Sequence, residues 1–318
     1  MIKLFGGEVI LKKRILITPK SYYQIKDEML GLMEGYQVLF NDTGRTFSED
    51  QMIDLAEDVD GIIIGVDPIT KKVINNAKNL KAISKYGVGM DNIDLETAEE
   101  KGILLSNTPD TNNTSVAELA IGLMFDIARN ISASAWKVKN YKWERIKGVE
   151  LTDKNLGLIG CGKIGKEVAH RAYGLGMKIK VYDPYFNDLD FAKSLNIERV
   201  DLDTLLSISD FISLHLPLNK DTRNFIAKEE LKKMKKDAFL INTARGGLIS
   251  EGDLLWALEE GEIAGAACDV FSAEPPEEHP LLSKDNFILT PHMGANTKEA
   301  VKRMATAATK NLLNMLNG

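Results

Sequence analysis

The sequence predicts an α/β protein of two doubly wound, parallel-sheet domains, the first of them interrupted by the second. Three observations carry that prediction. Short β-branched runs alternate with helical apolar periodicities along the 318 residues, the signature of βαβ units feeding a parallel sheet. Several of those runs are apolar throughout rather than alternating, as strands covered on both faces are. The last helical pattern, finally, has no strand after it to cover, and is expected to pack back on the domain the chain left.

In order, the strand runs are RILITP (14–19), GIIIGV (61–66), KAISKYG (81–87), NLGLIG (155–160), KIKVYD (178–183), FISLHLP (211–217), AFLINTA (238–244), GAACDVF (265–271) and NFILTPH (286–292). Between the third and fourth, SNTPDTNNTSVAELAIGLMFDIARN offers a proline turn, Asn and Thr as candidate N-caps, and a long apolar-periodic helix. A second helix with Ser132, Trp136 and Tyr141 along it follows. The closing helix runs from about Thr297 to Leu316. The resulting division is a first domain of residues 1–103 and 292–318 around a second domain of 104–291. Two domains also suit the length, at roughly 150 residues each. There are no internal repeats and no low-complexity linkers.

Composition narrows the function classes. A net charge of −6, with 44% hydrophobic and 27% charged residues and no basic tail, gives no electrostatic footprint for nucleic acid or anionic lipid. The N-terminal stretch MIKLFGGEVILKKRILITPK breaks its apolar runs with Glu8, Lys12, Lys13 and Arg14, unlike a signal peptide. No run approaches the roughly 18 apolar residues of a membrane span. Cys161 and Cys268 lie far apart without metal-ligand spacing, so a reduced cytoplasmic protein with structural cysteines, no disulfide framework and no metal site is expected.

The stretch LGLIGCGKIGKEVAHRAYGLGMKIKVYDP sets Gly160, Gly162 and Gly165 in G-x-G-x-x-G spacing between a strand and an amphipathic helix, and a second strand ends at Asp183. The spacing alone is weak evidence. Strand, helix, strand and terminal acid together form a dinucleotide fingerprint. Gly160 permits the tight turn, Gly162 lets backbone approach a pyrophosphate, and Gly165 lets the helix lie close to the sheet; the helix N-terminus then faces the phosphates. Asp183 is placed to accept from ribose hydroxyls. Pro184, Tyr185 and Phe186 follow it with no arginine, so NAD is expected rather than NADP. The second domain is therefore read as an NAD-binding Rossmann domain and the first as Rossmann-like of the flavodoxin-like kind.

Redox chemistry on an alcohol or ketone needs a proton donor and acceptor, and the chain has only 4 histidines. His170 falls within the helix after the glycines and reads as solvated or packed. His279 sits in the acidic, proline-rich EPPEEHPLL and reads as a surface residue. His215 ends a strand, open between packing and contact with the adenine side of a cofactor. His292 follows Pro291 at the end of the strand FILT, where open α/β sheets bind ligands, and is the candidate general acid and base. A carboxylate that orients such an imidazole favours its protonated form. Glu274 in CDVFSAEPP also lies just past a strand end, and so does Arg245 in INTARGG. Arg245 offers planar, bidentate donors for a carboxylate and its neighbouring carbonyl, which lysine cannot match. Holding an α-keto acid in that way is catalysis by orientation.

With these residues the chain resembles the D-isomer-specific 2-hydroxyacid dehydrogenase family, most of all its phosphoglycerate dehydrogenase-like members. The likeness runs through YGVGMDNID, NTPDTNNTSVAELAIGLM, GLIGCGKIGKEVA, HLPL, INTARGG, ACDVFSAEPP and LTPHMGANT. The resemblance implies Arg245, Glu274 and His292 as catalytic set, and Val88 and Gly89 as the loop whose N–H groups hold the substrate carboxylate. It implies NAD contacts at Lys163, Ile164, Asp183, His215, Pro217, Thr222, Thr243, Ala244, Asp269, His292 and Gly294, with Asp269 near the nicotinamide carboxamide. It also implies a homodimer through the NAD-binding domain, with the helices around 113–145, Trp136 and Trp143 at the interface. Phosphoglycerate-specific members carry an arginine where GVDPIT here has Gly65, which leaves Lys85 as the cation for a phosphate. The 318 residues are expected to leave out the regulatory domains of longer phosphoglycerate dehydrogenases. The substrates left open are 3-phosphoglycerate, glyoxylate or hydroxypyruvate, lactate-type acids, and sulfonated or phosphonated analogues. The activity expected is NAD-dependent interconversion of a 2-hydroxy and a 2-keto acid; a formate dehydrogenase would not need the Glu–His pair. The alternative is an NAD(H)-sensing, corepressor-like binding protein.

Overall fold

A computed structural model describes residues 12–318, so the signal-peptide reading of the first residues falls largely outside the described part. The chain divides into two compact units. The first takes the described residues up to Asn112 together with Asn296–Gly318, and the second is Asn113–Ala295.

The first unit holds a five-stranded, all-parallel sheet of β1 (Arg14–Ile17), β2 (Gln37–Phe40), β3 (Gly61–Ile64), β4 (Ala82–Lys85) and β5 (Leu104–Ser106), in the order β2-β1-β3-β4-β5. That is the flavodoxin-like order. Ile62, Ile63 and Ile64 are all fully buried, which is why GIII shows no alternation: helices cover both faces. The C-terminal helix Lys298–Asn317 covers one face, burying Val301, Met304, Ala305, Ala308, Leu312 and Leu316 at helical spacing. Thr297 caps it by accepting the Ala300 N–H. Its side chains come close enough to β3 that a Cβ on Gly61 would sit 3.0 Å from Leu312 and Leu316.

The second unit is a seven-stranded parallel sheet: β6 (Asn155–Ile159), β7 (Lys178–Tyr182), β8 (Glu198–Arg199), β9 (Phe211–Leu214), β10 (Phe239–Asn242), β11 (Gly265–Cys268) and β12 (Phe287–Leu289). The order is β12-β11-β10-β9-β6-β7-β8, a Rossmann sheet whose strand order reverses between β6 and β9. The Asn113–Arg129 helix buries Val116, Ala117, Ala120, Leu123, Met124, Ile127 and Ala128 along one face. Ile131–Lys139 follows it with no buried residue.

The division falls after Asn112 and Ala295, not after 103 and 291. Leu104–Ser106 pairs with β4 as the outer strand of the first sheet, and residues 293 and 294 are tied by their backbone to Asp269 at the end of β11.

Candidate active site

The loops at the carboxyl ends of β10, β11 and β12, three adjacent strands, carry Arg245, Glu274 and His292. Asn242, buried at the end of β10, shapes the first loop: its Oδ1 accepts the Ala244 N–H at 3.0 Å and its Nδ2 donates to the Arg245 carbonyl at 2.8 Å. The Arg245 guanidinium is half-buried and donates to the Ala244 carbonyl at 2.6 Å. The two glycines after it have different reasons. Gly247 has φ +78°, a turn conformation that side chains resist. At Gly246 a Cβ would lie 2.0 Å from the Phe271 carbonyl oxygen, so the absent side chain lets the β10 and β11 loops touch.

In the second loop the Phe271 N–H donates to Glu274 Oε1 at 2.9 Å. The other oxygen, Oε2, lies 2.7 Å from His292 Nδ1. Burial pushes the Glu274 carboxyl up, but the His292 hydrogen bond and charge, the Phe271 N–H and the Arg245 guanidinium together hold it below the usual carboxylate range. His292 itself has φ +50°, a conformation uncommon for a residue with a side chain. Its neighbours hold it there. Asp269 Oδ1 accepts the Met293 N–H at 2.8 Å and the Thr290 hydroxyl at 2.6 Å, while Oδ2 accepts the Gly294 N–H at 2.7 Å. The Ser115 hydroxyl donates to the Gly294 carbonyl at 2.6 Å. Burial pushes Asp269 up; the hydroxyl and the two N–H donors oppose it.

At the switch between β6 and β9, the three glycines of the fingerprint separate by cause. Gly160 has φ +91°, and a Cβ there would sit 2.6 Å from the His215 carbonyl oxygen. At Gly165, in the helix Lys163–Gly174, a Cβ would sit 2.5 Å from the Gly160 carbonyl oxygen. At Gly162 it would meet no protein atom within 4 Å. Only Gly162, the middle glycine, lacks a reason inside the protein. Asp183, past β7, accepts the Cys161 N–H with Oδ2 and the Tyr185 N–H with Oδ1, both at 2.8 Å, fastening the glycine loop to the end of β7.

Residues 121–294 match the model for the D-isomer specific 2-hydroxyacid dehydrogenase NAD-binding domain. Hydroxypyruvate reductase of Thermotoga maritima is 45% identical over 85% of this chain and 91% of its own length. The chain belongs to the D-isomer-specific 2-hydroxyacid dehydrogenase family. D-3-phosphoglycerate dehydrogenase of Methanocaldococcus jannaschii is also 45% identical, over 87% of this chain, but the chain spans only 53% of that protein's length. Among solved structures, D-lactate dehydrogenase of Aquifex aeolicus, complexed with NAD and lactic acid, superposes with a TM-score of 0.83 at 27% identity, covering 96% of each chain.

As the NAD-binding domain of this family, the second unit fits its cofactor. The space over Gly162 is open to a pyrophosphate, and the helix that starts there has no side-chain cap. The Thr243 hydroxyl at the end of β10 is buried with no hydrogen-bond partner among the described residues, a cost that a ligand polar group would remove. A cavity of about 630 Å³ lies at the ends of β7 and β8, lined by Asp183, Pro184 and Thr204 among others. Ile164 is half-buried and packs into the apolar cluster behind the loop, while Lys163 is exposed. Ala244 lies in the turn that Asn242 shapes. In the loop after β9, the Thr222 hydroxyl donates to the Pro217 carbonyl at 2.7 Å, closing a turn. His215 lies 3.0 Å, through Nε2, from the Ser213 hydroxyl, and burial pushes its imidazole down to about 4, so it is neutral at pH 7. Burial, reinforced by the Asp183 charge, pushes the Cys161 thiol up to about 12, the mark of an inert cysteine.

The cavity also contains Arg199 on β8, which sequence reading missed because it looked for an arginine directly after Asp183. His279 is not a plain surface residue: it packs edge-on against Phe271 with ring centroids 4.9 Å apart and accepts the Leu281 N–H with Nδ1. His170 is exposed, as its helical position implies.

In the first unit, the Val88–Gly89 loop follows Gly87, whose φ is +133° and whose N–H is accepted by the Thr108 hydroxyl. Asn107 Nδ2 holds the Val88 carbonyl at 2.8 Å. Lys85 departs from the phosphate-cation expectation. It is buried, and its ammonium donates to the Gly65 carbonyl at 2.5 Å and to Asn92 Oδ1 at 2.6 Å. It serves the loop that Gly65 begins, and Asn92 Nδ2 joins it there on the Gly65 and Asp67 carbonyls.

Proposed function

We propose that the protein is an NAD-dependent oxidoreductase that interconverts a 2-hydroxy acid and its 2-keto acid. The observation that carries the reading is the 2.7 Å contact between His292 Nδ1 and Glu274 Oε2, on the strand ends next to Arg245. Bound NADH supplies the hydride. The residues supply the rest. Glu274 occupies Nδ1 of His292, which leaves Nε2 to give its proton to the carbonyl oxygen and to take it back in the oxidative direction. Arg245 clamps the carboxylate and carbonyl.

For the substrate we favour a small uncharged-tail acid of the hydroxypyruvate or glyoxylate kind. One of the relatives at 45% identity is named hydroxypyruvate reductase. Gly65 brings no arginine, and the Lys85 ammonium is already engaged by protein acceptors, which is poor support for a doubly charged phosphate.

A homodimer through the second unit is part of the proposal. Trp136, Tyr141 and Trp143 are 62%, 99% and 85% exposed in one short segment, an apolar surface suited to a second copy. A cytoplasmic location is supported by two free, buried cysteines. No described helix is long and apolar enough to cross a membrane.

The test is NADH oxidation against hydroxypyruvate, glyoxylate, 3-phosphohydroxypyruvate, pyruvate and sulfopyruvate. Turnover of hydroxypyruvate or glyoxylate well above the rest is expected. Tight NADH binding with no turnover of any of them would refute the enzyme reading in favour of a sensor.

A further inference from the structure

We propose that Glu251 is a positioning residue for the Glu274–His292 pair, a role that rests on the catalytic reading above. Glu251 is the first residue of the helix Glu251–Glu259, which begins a few residues after Arg245. Its side chain is turned inward, 21% exposed, and not out to water as an acidic residue in a first helical turn usually is. Its Oε1 accepts the Ser272 N–H at 2.7 Å. Ser272 lies in the β11 loop between Phe271, whose N–H holds Glu274 Oε1, and Glu274 itself. The other Glu251 oxygen faces His279 Nε2 at 4.0 Å. Because His279 Nδ1 accepts the Leu281 N–H, its Nε2 carries the proton and presents a donor to Glu251.

The Glu274 loop is thus held from two sides. On one, backbone meets backbone where Gly246 lacks a side chain under the Phe271 carbonyl. On the other, the Glu251 carboxylate takes the Ser272 N–H. A hydrogen bond to a charged acceptor is about twice as strong as a neutral one, so this contact resists opening more than a turn bond would. The consequence is directional. Glu251 ties the β11 loop to the helix that follows the Arg245 loop, so the substrate clamp and the carboxylate behind the imidazole share one anchor.

The experiment uses the full chain without cofactor and follows, by NMR, the downfield proton of the His292 Nδ1–Glu274 hydrogen bond, assigned by its loss in His292→Asn. Glu251→Ala should broaden or abolish that resonance, and Glu251→Gln, whose amide oxygen can still accept from Ser272, should recover it. Glu251→Asp keeps the charge and the helix start but withdraws the acceptor by one methylene; it too should broaden or lose the resonance, and it carries the test if the alanine variant fails to fold. With NADH and hydroxypyruvate, kcat should fall about tenfold in the alanine variant with an unchanged Kd for NADH, a tenfold change being the scale of one hydrogen bond to a charged group. In a Glu274→Gln background the same substitution should cost little more. An unaltered resonance in both Glu251→Ala and Glu251→Asp overturns the proposal. A lost resonance with unaltered kcat overturns the catalytic reading instead and leaves the positioning role standing.

Discussion

The imidazole of His292 and the carboxylate of Glu274 meet at 2.7 Å although 17 residues of loop, 3₁₀ turn and strand separate them in the chain, Pro275 to Pro291. The meeting depends on two adjacent parallel strands ending at the same edge of a sheet. Proton transfer by a positioned group contributes about 10²–10⁴-fold, so His292→Ala should lower kcat by that order while the Kd for NADH, read by fluorescence titration, stays near the wild-type value. Glu274→Gln should lower it less, since an amide can still accept from Nδ1. Wild-type turnover in the alanine variant would remove His292 from the mechanism.

The fingerprint glycines should part company on substitution. Gly165→Ala puts a Cβ 2.5 Å from the Gly160 carbonyl oxygen and should lower the melting temperature, with a penalty of about 1–3 kcal/mol typical of overpacking. Gly162→Ala meets no protein atom, so it should melt like the wild type yet bind NADH poorly. Calorimetry and NADH titration on the two variants separate these outcomes, and normal NADH affinity in Gly162→Ala would count against pyrophosphate lying there.

Selection of NAD over NADP is expected to rest on Asp183 alone, with Arg199 as an unused cation in the same cavity. Asp183→Ser should weaken NADH and admit NADPH, because a 2′-phosphate then meets Arg199 without the carboxylate. Asp183→Ser with Arg199→Ala should lose NADPH again. Equal NADPH affinity in the single and double variants would show that Arg199 takes no part.

His215 gives a pH signature with a definite sign. Its imidazole is pushed down to about 4 by burial, below the ordinary histidine value near 6.5, so between those values the unfolded chain binds a proton that the folded chain does not. That contribution to stability is present above about 6.5 and is lost as the pH falls toward 4. Glu274, held below the carboxylate range, acts in the same direction but further down: its contribution is present above its unfolded value and lost as the pH falls through its folded one. Denaturant midpoints from pH 7 to 4 should therefore fall less steeply in His215→Asn than in the wild type; parallel curves would contradict the buried neutral imidazole.

What the sequence made legible follows from sheet position. The runs that read clearly as strands include every strand in the middle of either sheet, most of them covered on both faces with a nearly unbroken apolar pattern, Lys178–Tyr182 being the one that alternates. Gln37–Phe40, Leu104–Ser106 and Glu198–Arg199 went unread, and each is the outer strand of its sheet, short and partly exposed, so its residues carry little of that pattern. At the site, Arg245, Glu274 and His292 were legible because each leaves a strand at its carboxyl end. The hold of Asp269 on the Met293 and Gly294 N–H groups was not, since backbone acceptors leave no spacing to read. Nor was the burial of Lys85, whose engagement depends on Gly65 and Asn92 being folded against it. Arg199 escaped for a third reason: it reaches the Asp183 cavity through strand pairing with β7.

β12 is the outer strand of its sheet, with β11 as its one neighbour among the described residues, and it is the strand that delivers His292. An outer strand ordinarily frays first. Here the Asp269 side chain, just past β11, carries the pairing on beyond the end of β12, so the amides of Met293 and Gly294 should exchange with solvent more slowly than those of the strand that leads to them. The tip of a fraying element would then be its most rigid part, and the imidazole would keep its aim while the strand beneath it breathes.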